Sequence, residues 1–264
     1  LFRSKVTTKS SDSKGALTVV LEFFSGLVAL LFMPFFKFTF PTDYKIYIYL
    51  GIALIFYAIS DRLNTTIRKG IEASTYSMIK QLTTVFMILG GLLFLKEPLV
   101  LKKIIGSVLI IFSNFLVFYD KDKTKGNKYI ILAIISNIIS ATSLFVGVNI
   151  SGQFNIAFYA ALTVIVPAIL IMIFERIKFK DLKKEIVEGN RKALIFTCIG
   201  RGIMLVAHLL AYNYGKVTQV APLTALTVML NVIVGYIFLK ERKNIVKKII
   251  AAILIIISII LIKG

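Results

Sequence analysis

The sequence predicts an all-α membrane protein with nine transmembrane helices in two inverted five-helix repeats, the first repeat lacking its first helix. Apolar residues make up 58% of the 264 positions, and the mean hydropathy is +0.86. The charged residues cluster between apolar runs that are long enough for helices to cross about 30 Å of hydrocarbon. These runs are continuously apolar, whereas membrane strands alternate between apolar and polar residues. The composition therefore indicates membrane-spanning helices.

The chain contains one motif twice, 144 residues apart. Leu-Thr followed by Leu-Lys-Glu stands at 82–83 and 95–97, and again at 226–227 and 239–241. Lys-Lys-Ile-Ile then opens the last apolar run of each copy, with one inserted residue in the second. Self-similarity at this distance predicts two repeats, 1–125 and 126–264.

The apolar runs give the boundaries of the predicted helices, which are 15–36, 45–60, 73–95, 104–119, 129–150, 154–174, 193–213, 217–239 and 246–262. The longest polar interruption, 175–192, contains seven Lys or Arg residues. Within it, 181–188 is polar and has high helix propensity, which predicts a short surface helix.

The repeat explains the odd number of spans. Subtracting the offset from the first span of the second repeat places its counterpart before Leu1. We therefore expect that a first helix is missing and that the intact protein has ten spans, five in each repeat. Because five is odd, the second repeat would be inverted in the membrane. A complete nine-span protein is the alternative.

The basic residues predict an orientation in the membrane. Of the 32 Lys and Arg residues, 23 lie in segments on the side of Lys14 and seven on the opposite side. Lys and Arg are retained in the cytoplasm, so Lys14 should lie inside and Gly264 outside. The net charge of +19 is interpreted as topology and contact with anionic lipids, because the basic residues occupy short loops. Nucleic acid is not a predicted partner.

Motifs for metals, cofactors and catalysis are not found in the sequence. Cys198 is the only cysteine and lies in a predicted span, where it is interpreted as a packing residue. The chain contains no G-x-x-x-x-G-K-[ST], H-E-x-x-H or G-x-S-x-G motif. We therefore predict no cofactor, no metal site, no catalytic residue and no ATP-driven step.

The duplicated segments resemble a known family. The first copy reads GGLLFLKE at 90–97 with Gly106 in the next span, and the second has Pro222 and Gly235 before Glu241. Ala251 and Ala252 replace the second copy's small glycine. This layout resembles the EamA-type branch of the drug/metabolite transporter superfamily. The resemblance implies a ten-helix secondary transporter of small metabolites, with a central cavity between inverted halves and an alternating-access mechanism.

Polar residues inside the predicted spans are the candidate substrate-binding residues. A charge at the centre of a membrane helix costs about 2.5–3.5 kcal/mol, which favours a functional reason for its presence. Lys80 is too deep for its side chain to reach either surface. Arg201, His208 and Tyr212 follow one helix face. The full set of predicted substrate-binding residues is Lys80, Arg201, His208, Tyr212, Glu22, Asn137, Tyr159 and Thr227.

These residues predict the chemistry of the substrate. Two cations, Lys80 and Arg201, against one acid, Glu22, indicate a cavity that favours an amino acid or an organic anion. His208 and Glu22 are candidates for proton coupling. Structural alternatives remain: Arg201 as the partner of Glu22, His208 as a packing residue, and the Asn and Thr side chains as helix–helix contacts. Asp61 and Arg62 are candidates for gating the mouth of the cavity, although a solvated turn is the favoured interpretation.

Two other functions remain as alternatives. One is a lipid or lipid-linked-sugar flippase of the same fold, which would need a lateral opening to lipid. The other is a membrane-embedded enzyme or a non-transporting membrane subunit. The predicted partners are a small-molecule substrate, the lipid bilayer and the proton as candidate coupling ion, with a monomer or a homodimer as the assembly. Frequent Ile, Lys and Asn favour a prokaryotic plasma (inner) membrane, crossed several times.

Overall fold

The protein is built from α-helices in a computed structural model that describes residues 15–71, 75–76, 79–94, 101–118, 128–215, 220, 232–237 and 245–263. The principal helices are α1 (Ala16–Leu30), α2 (Tyr44–Gly70), α3 (Leu82–Phe94), α4 (Leu101–Phe118), α5 (Lys128–Ser151), α6 (Ile156–Phe174), α7 (Phe179–Glu188), α8 (Arg191–Tyr214) and α9 (Ile245–Lys263). Within the described residues the regular structure is helical throughout, which confirms the all-α prediction.

Five helical segments are long and apolar enough to cross a membrane. They are Ala16–Phe35, Tyr44–Arg68, Lys128–Ser151, Ile156–Phe174 and Arg191–Tyr214. Each corresponds to one of the nine predicted spans. A shorter apolar segment, Ile104–Ser113, lies within α4. The span predicted at 217–239 lies mostly outside the described residues. The structure supports a protein that crosses the membrane several times, and the count of nine or ten spans stays a prediction.

α2 is longer than the sequence indicated. The segment 61–69, predicted as a loop because it is polar, continues the helix to Gly70. It contains neither Gly nor Pro, so nothing in its backbone interrupts a helix. The hydroxyl groups of Thr65 and Thr66 donate to the carbonyls of the residues four positions earlier, at 3.0 and 3.2 Å. The polar residues of 61–69 therefore belong to a partly charged helix and do not end it.

The start of α6 is fixed by one buried asparagine. The Asn155 side chain accepts a hydrogen bond from the Phe158 amide at 3.0 Å, which caps the helix. Its amide nitrogen donates to the carbonyls of Met33 and Phe36, at 3.1 and 3.0 Å, beside the short 3₁₀ helix Met33–Phe35. Asn155 therefore joins the chain that follows α1 to the beginning of α6.

The described helices form two compact units, and the predicted division of the chain into inverted repeats stays a prediction. The first unit contains α3, α4, α9 and the part of α5 up to Ala141. The second contains α1, α2, α6, α7, α8 and the part of α5 from Thr142. Each unit thus takes helices from both 1–125 and 126–264.

In the second unit, α1 packs against α6 and α8. Leu17, Val20 and Leu21 lie in an apolar cluster with Leu194 and Cys198, where the cysteine has the packing position predicted for it.

The contact between α1 and α8 is close at Gly202. A Cβ atom there would lie 2.7 Å from the Ser25 carbonyl oxygen and 2.6 Å from Val28 Cβ. Only a residue without a side chain allows α8 to approach α1 this closely.

In the first unit, α4 packs against α9, and α3 contacts α4. Val85, Ile88 and Ile110 form the buried cluster between α3 and α4. The small residues singled out by the repeat, Ala251 and Ala252, are buried in a second cluster with Val232.

Candidate functional site

Three charged side chains meet inside the second unit. Glu22 of α1 is 2% exposed, and both of its carboxylate oxygens lie 2.6 Å from Nη2 of Arg201 on α8. Asp61 of α2 places Oδ1 3.5 Å from the same nitrogen. The pairing of Arg201 with Glu22, one of the interpretations from sequence, is present. Asp61 extends it to a third helix.

The buried carboxylate of Glu22 requires a compensating positive charge. A carboxylate removed from water is unfavourable unless a positive charge and hydrogen bonds compensate it. Arg201 supplies both to Glu22, and Arg68 is close enough to interact electrostatically with the same carboxylate. Asp61 adds a second acid to the one included in the sequence-based charge balance. The Arg201 guanidinium therefore lies within ion-pair distance of two carboxylates, so it can exchange one partner for the other.

Arg62 forms a second ion pair near this cluster, with Glu175 directly after α6. Its Nη1 also donates to Thr66 Oγ1 at 2.6 Å. The prediction of a solvated turn at Asp61 and Arg62 is wrong. Both residues belong to α2 and hold it to neighbouring elements of the second unit. The sequence did not predict these contacts because the partners are more than one hundred residues away in the chain.

His208 and Tyr212 lie one turn apart on α8, with ring centroids separated by 4.8 Å. Together with Arg201 they form the stripe predicted from the helical spacing. His208 Nε2 is buried and has no hydrogen-bond partner among the described residues. A buried polar atom without a partner is costly, so a ligand or water that bonded it would be favoured.

Tyr159 is completely buried near the start of α6. Its hydroxyl group also lacks a hydrogen-bond partner within the described part of the chain. A Cβ atom at Gly147 would lie 2.8 Å from this hydroxyl and 2.8 Å from that of Tyr57. The hydroxyl oxygens of Tyr159 and Tyr57 are therefore separated by at most twice 2.8 Å. Tyr57 was not among the predicted residues; its only sequence signal was a tyrosine within an apolar span.

In the first unit, Lys80 lies at a break in a helix. The span predicted at 73–95 as one continuous helix has a turn at Lys80 and Gln81, and α3 begins at Leu82. This corrects the prediction. Lys80 Nζ donates to Ser140 Oγ on α5 at 2.8 Å.

Asn137 holds both sides of this break. Its Nδ2 donates to the Ile79 carbonyl at 3.0 Å, and its Oδ1 accepts from Thr83 Oγ1 at 2.8 Å. The interruption of the helix leaves backbone groups that need such partners. This geometry favours a structural role for Asn137, the alternative left open by the sequence. Thr227 lies outside the described residues.

Comparison with known families identifies both halves of the chain. The EamA-like transporter family matches residues 4–119 and, separately, residues 127–264. The duplicated motif at 95–97 and 239–241 lies once in each matched segment. No match is found among curated proteins.

Proposed function

This chain belongs to the EamA-like transporter family, and on that premise we propose that it is a secondary transporter of a small metabolite. The family resemblance predicted from the repeated motif is confirmed by the two matched segments. The proposed location is the plasma membrane of a prokaryote, and the proposed mechanism is alternating access by two inverted repeats. A lipid flippase and a membrane enzyme or accessory subunit remain the competing proposals.

The main support for this proposal is two buried polar atoms that lack hydrogen bonds within the described residues. Tyr159 Oη and His208 Nε2 both lie inside membrane-spanning helices without a hydrogen-bond partner in the described part of the chain. Leaving such atoms unbonded costs about 1–3 kcal/mol each. A substrate with hydroxyl, amino or carboxyl groups would satisfy them. We therefore place Tyr159 and His208, with neighbouring Tyr212, in substrate recognition.

The proposed charge of the substrate rests on Lys80. Its ammonium donates to Ser140 Oγ at 2.8 Å, beside the break before α3. A charge this deep in a membrane helix favours a functional role, so Lys80 is proposed to bind a negative group of the substrate. Its position at a helix break is typical of substrate sites in secondary transporters. The proposed substrate class is an amino acid or an organic anion.

The test is counterflow in proteoliposomes, screened with labelled amino acids and organic acids. Tyr159→Phe removes only the hydroxyl and should raise KM about tenfold, the effect of about 1.4 kcal/mol. Tyr44→Phe is the matched control, because Tyr44 is 69% exposed at the start of α2, and it should leave transport unchanged. Lys80→Gln should abolish uptake of anions while Lys80→Arg retains part of it. Unchanged KM in Tyr159→Phe would contradict the role of Tyr159, and unchanged uptake of anions in Lys80→Gln would contradict that of Lys80.

The coupling ion proposed is the proton. If Glu22 takes up a proton, it no longer holds Arg201 by charge, and Asp61 is already 3.5 Å from the same nitrogen. Proton binding would then transfer the guanidinium from α1 to α2. Dissipating the pH gradient with an ionophore should abolish accumulation of substrate but leave counterflow intact. Accumulation that persists without the gradient would contradict proton coupling.

A further inference from the structure

α7 is held close to the ends of two long helices by short connections. Four residues separate it from α6, and two separate it from α8. Both neighbours are long and apolar enough to span the bilayer. A ten-residue helix is about 15 Å long, so these short connections keep α7 close to the ends of both spans.

One face of α7 is packed on the protein. Leu182 and Ile186 contact the apolar cluster of α1 and α8, and Glu185 on the same side is buried. The opposite face carries Lys180, Lys183 and Lys184, all exposed. α7 therefore lies flat on the second unit and presents a row of lysines outward.

Most acids of α7 are already engaged. Asp181 accepts a hydrogen bond from the Lys178 backbone amide at 3.1 Å, and Glu188 lies 3.8 Å from Lys184. Lys180 and Lys183 have no ion-pair partner in the part of the chain that the structure describes. Their charges are thus available to an external anion.

Large apolar side chains are exposed at the start of α7 and at the end of α6. Phe179, the first residue of α7, is 78% exposed, and Phe174, the last residue of α6, is 82% exposed. Exposed aromatic residues beside lysines are typical of helices that lie in the interface between headgroups and acyl chains. Exposure of two phenylalanine side chains to water is unfavourable, whereas their contact with a lipid surface is favourable.

We propose that the outer face of α7, with Lys180 and Lys183 at its centre, binds the phosphate headgroups of anionic phospholipids, while Phe174 and Phe179 enter the acyl boundary. The ligand class is a lipid carrying net negative charge. Zwitterionic lipids offer no such charge. This inference concerns a surface apart from the proposed substrate site and does not depend on it.

The experiment uses the full chain, purified in a neutral detergent and titrated with phosphatidylglycerol or with phosphatidylcholine. The midpoint of thermal unfolding should rise saturably with phosphatidylglycerol and not with phosphatidylcholine. The double variant K180Q/K183Q should weaken the apparent affinity about 30-fold, or about fivefold for each lysine. K37Q/K45Q removes the same charge from exposed positions outside α7 and should bind as the unaltered protein does.

Two outcomes would overturn the proposal. One is an equal response of K180Q/K183Q and the unaltered protein to phosphatidylglycerol. The other is an equal response of the unaltered protein to glycerol 3-phosphate, which would indicate a site for a free phosphate. If K180Q/K183Q does not fold, the unaltered protein is titrated at increasing salt. Binding through lysines should weaken as salt screens the charges, and salt-independent binding would contradict it.

Discussion

Replacing Arg201 with Met should destabilise the protein by about 3–5 kcal/mol, because Glu22 would remain buried without its guanidinium. Glu22→Gln should cost less, about 1–3 kcal/mol, since Arg201 would still lie beside Asp61. Asp61 is 15% exposed, against 2% for Glu22, so it is the easier of the two acids to leave unpaired. The two single variants are therefore predicted to differ.

The double variant E22Q/R201M tests whether one interaction accounts for both losses. It removes the buried charge together with its partner, so the cost should be smaller than the sum of the single costs by about 2 kcal/mol. Unfolding in mixed micelles at increasing fractions of denaturing detergent gives the three free energies. Additive losses, or a Glu22→Gln variant as unstable as Arg201→Met, would refute the assignment of Arg201 as the compensating charge.

Three further predictions test packing and the helix break. Gly202→Ala should lower stability by about 1–3 kcal/mol because its Cβ meets the α1 backbone, whereas Gly200→Ala, two residues away in open space, should be neutral or stabilising in the same unfolding assay. Gly147→Ala should force two phenol groups apart and alter KM in counterflow, while Gly51→Ala, with nothing within 4 Å, should leave KM unchanged. Asn137→Leu should lower stability by about 1–3 kcal/mol through unpaired groups at the break, measured by thermal unfolding; an unaltered midpoint would contradict its bridging role.

The all-helical class and most of the described spans could be predicted from the sequence, because continuous apolar runs leave a helix as the main way to satisfy backbone groups in lipid. The extension of α2 to Gly70 could not, since polar residues end an apolar run without ending a helix. The break at Lys80 was hidden for a related reason: neither Gly nor Pro occurs there, and the partner that supports it, Asn137, is distant in the chain.

Contacts between distant residues also limited the prediction of the site. The pairing of Glu22 with Arg201 was among the hypotheses because both are charged and deep in spans. The contact of Asp61 with Arg201 and the position of Tyr57 beside Tyr159 were not predicted, because both depend on which helices are neighbours. The compact units combine helices from both repeats, and a repeat read along the chain does not show that arrangement.

The large distance in sequence between Glu22 and Arg201 affects how α1 enters the membrane during synthesis. The two residues are 179 positions apart, so at about 5–20 residues per second the ribosome needs about 10–35 s to supply the arginine after the glutamate. During that time α1 must enter the bilayer with an acid near its middle, at a cost of about 2.5–3.5 kcal/mol. Its nine Leu, Val and Phe residues contribute about 0.3–0.6 kcal/mol each towards insertion, enough to offset most of that cost. α1 can thus be inserted early and receive its counter-charge only when α8 arrives.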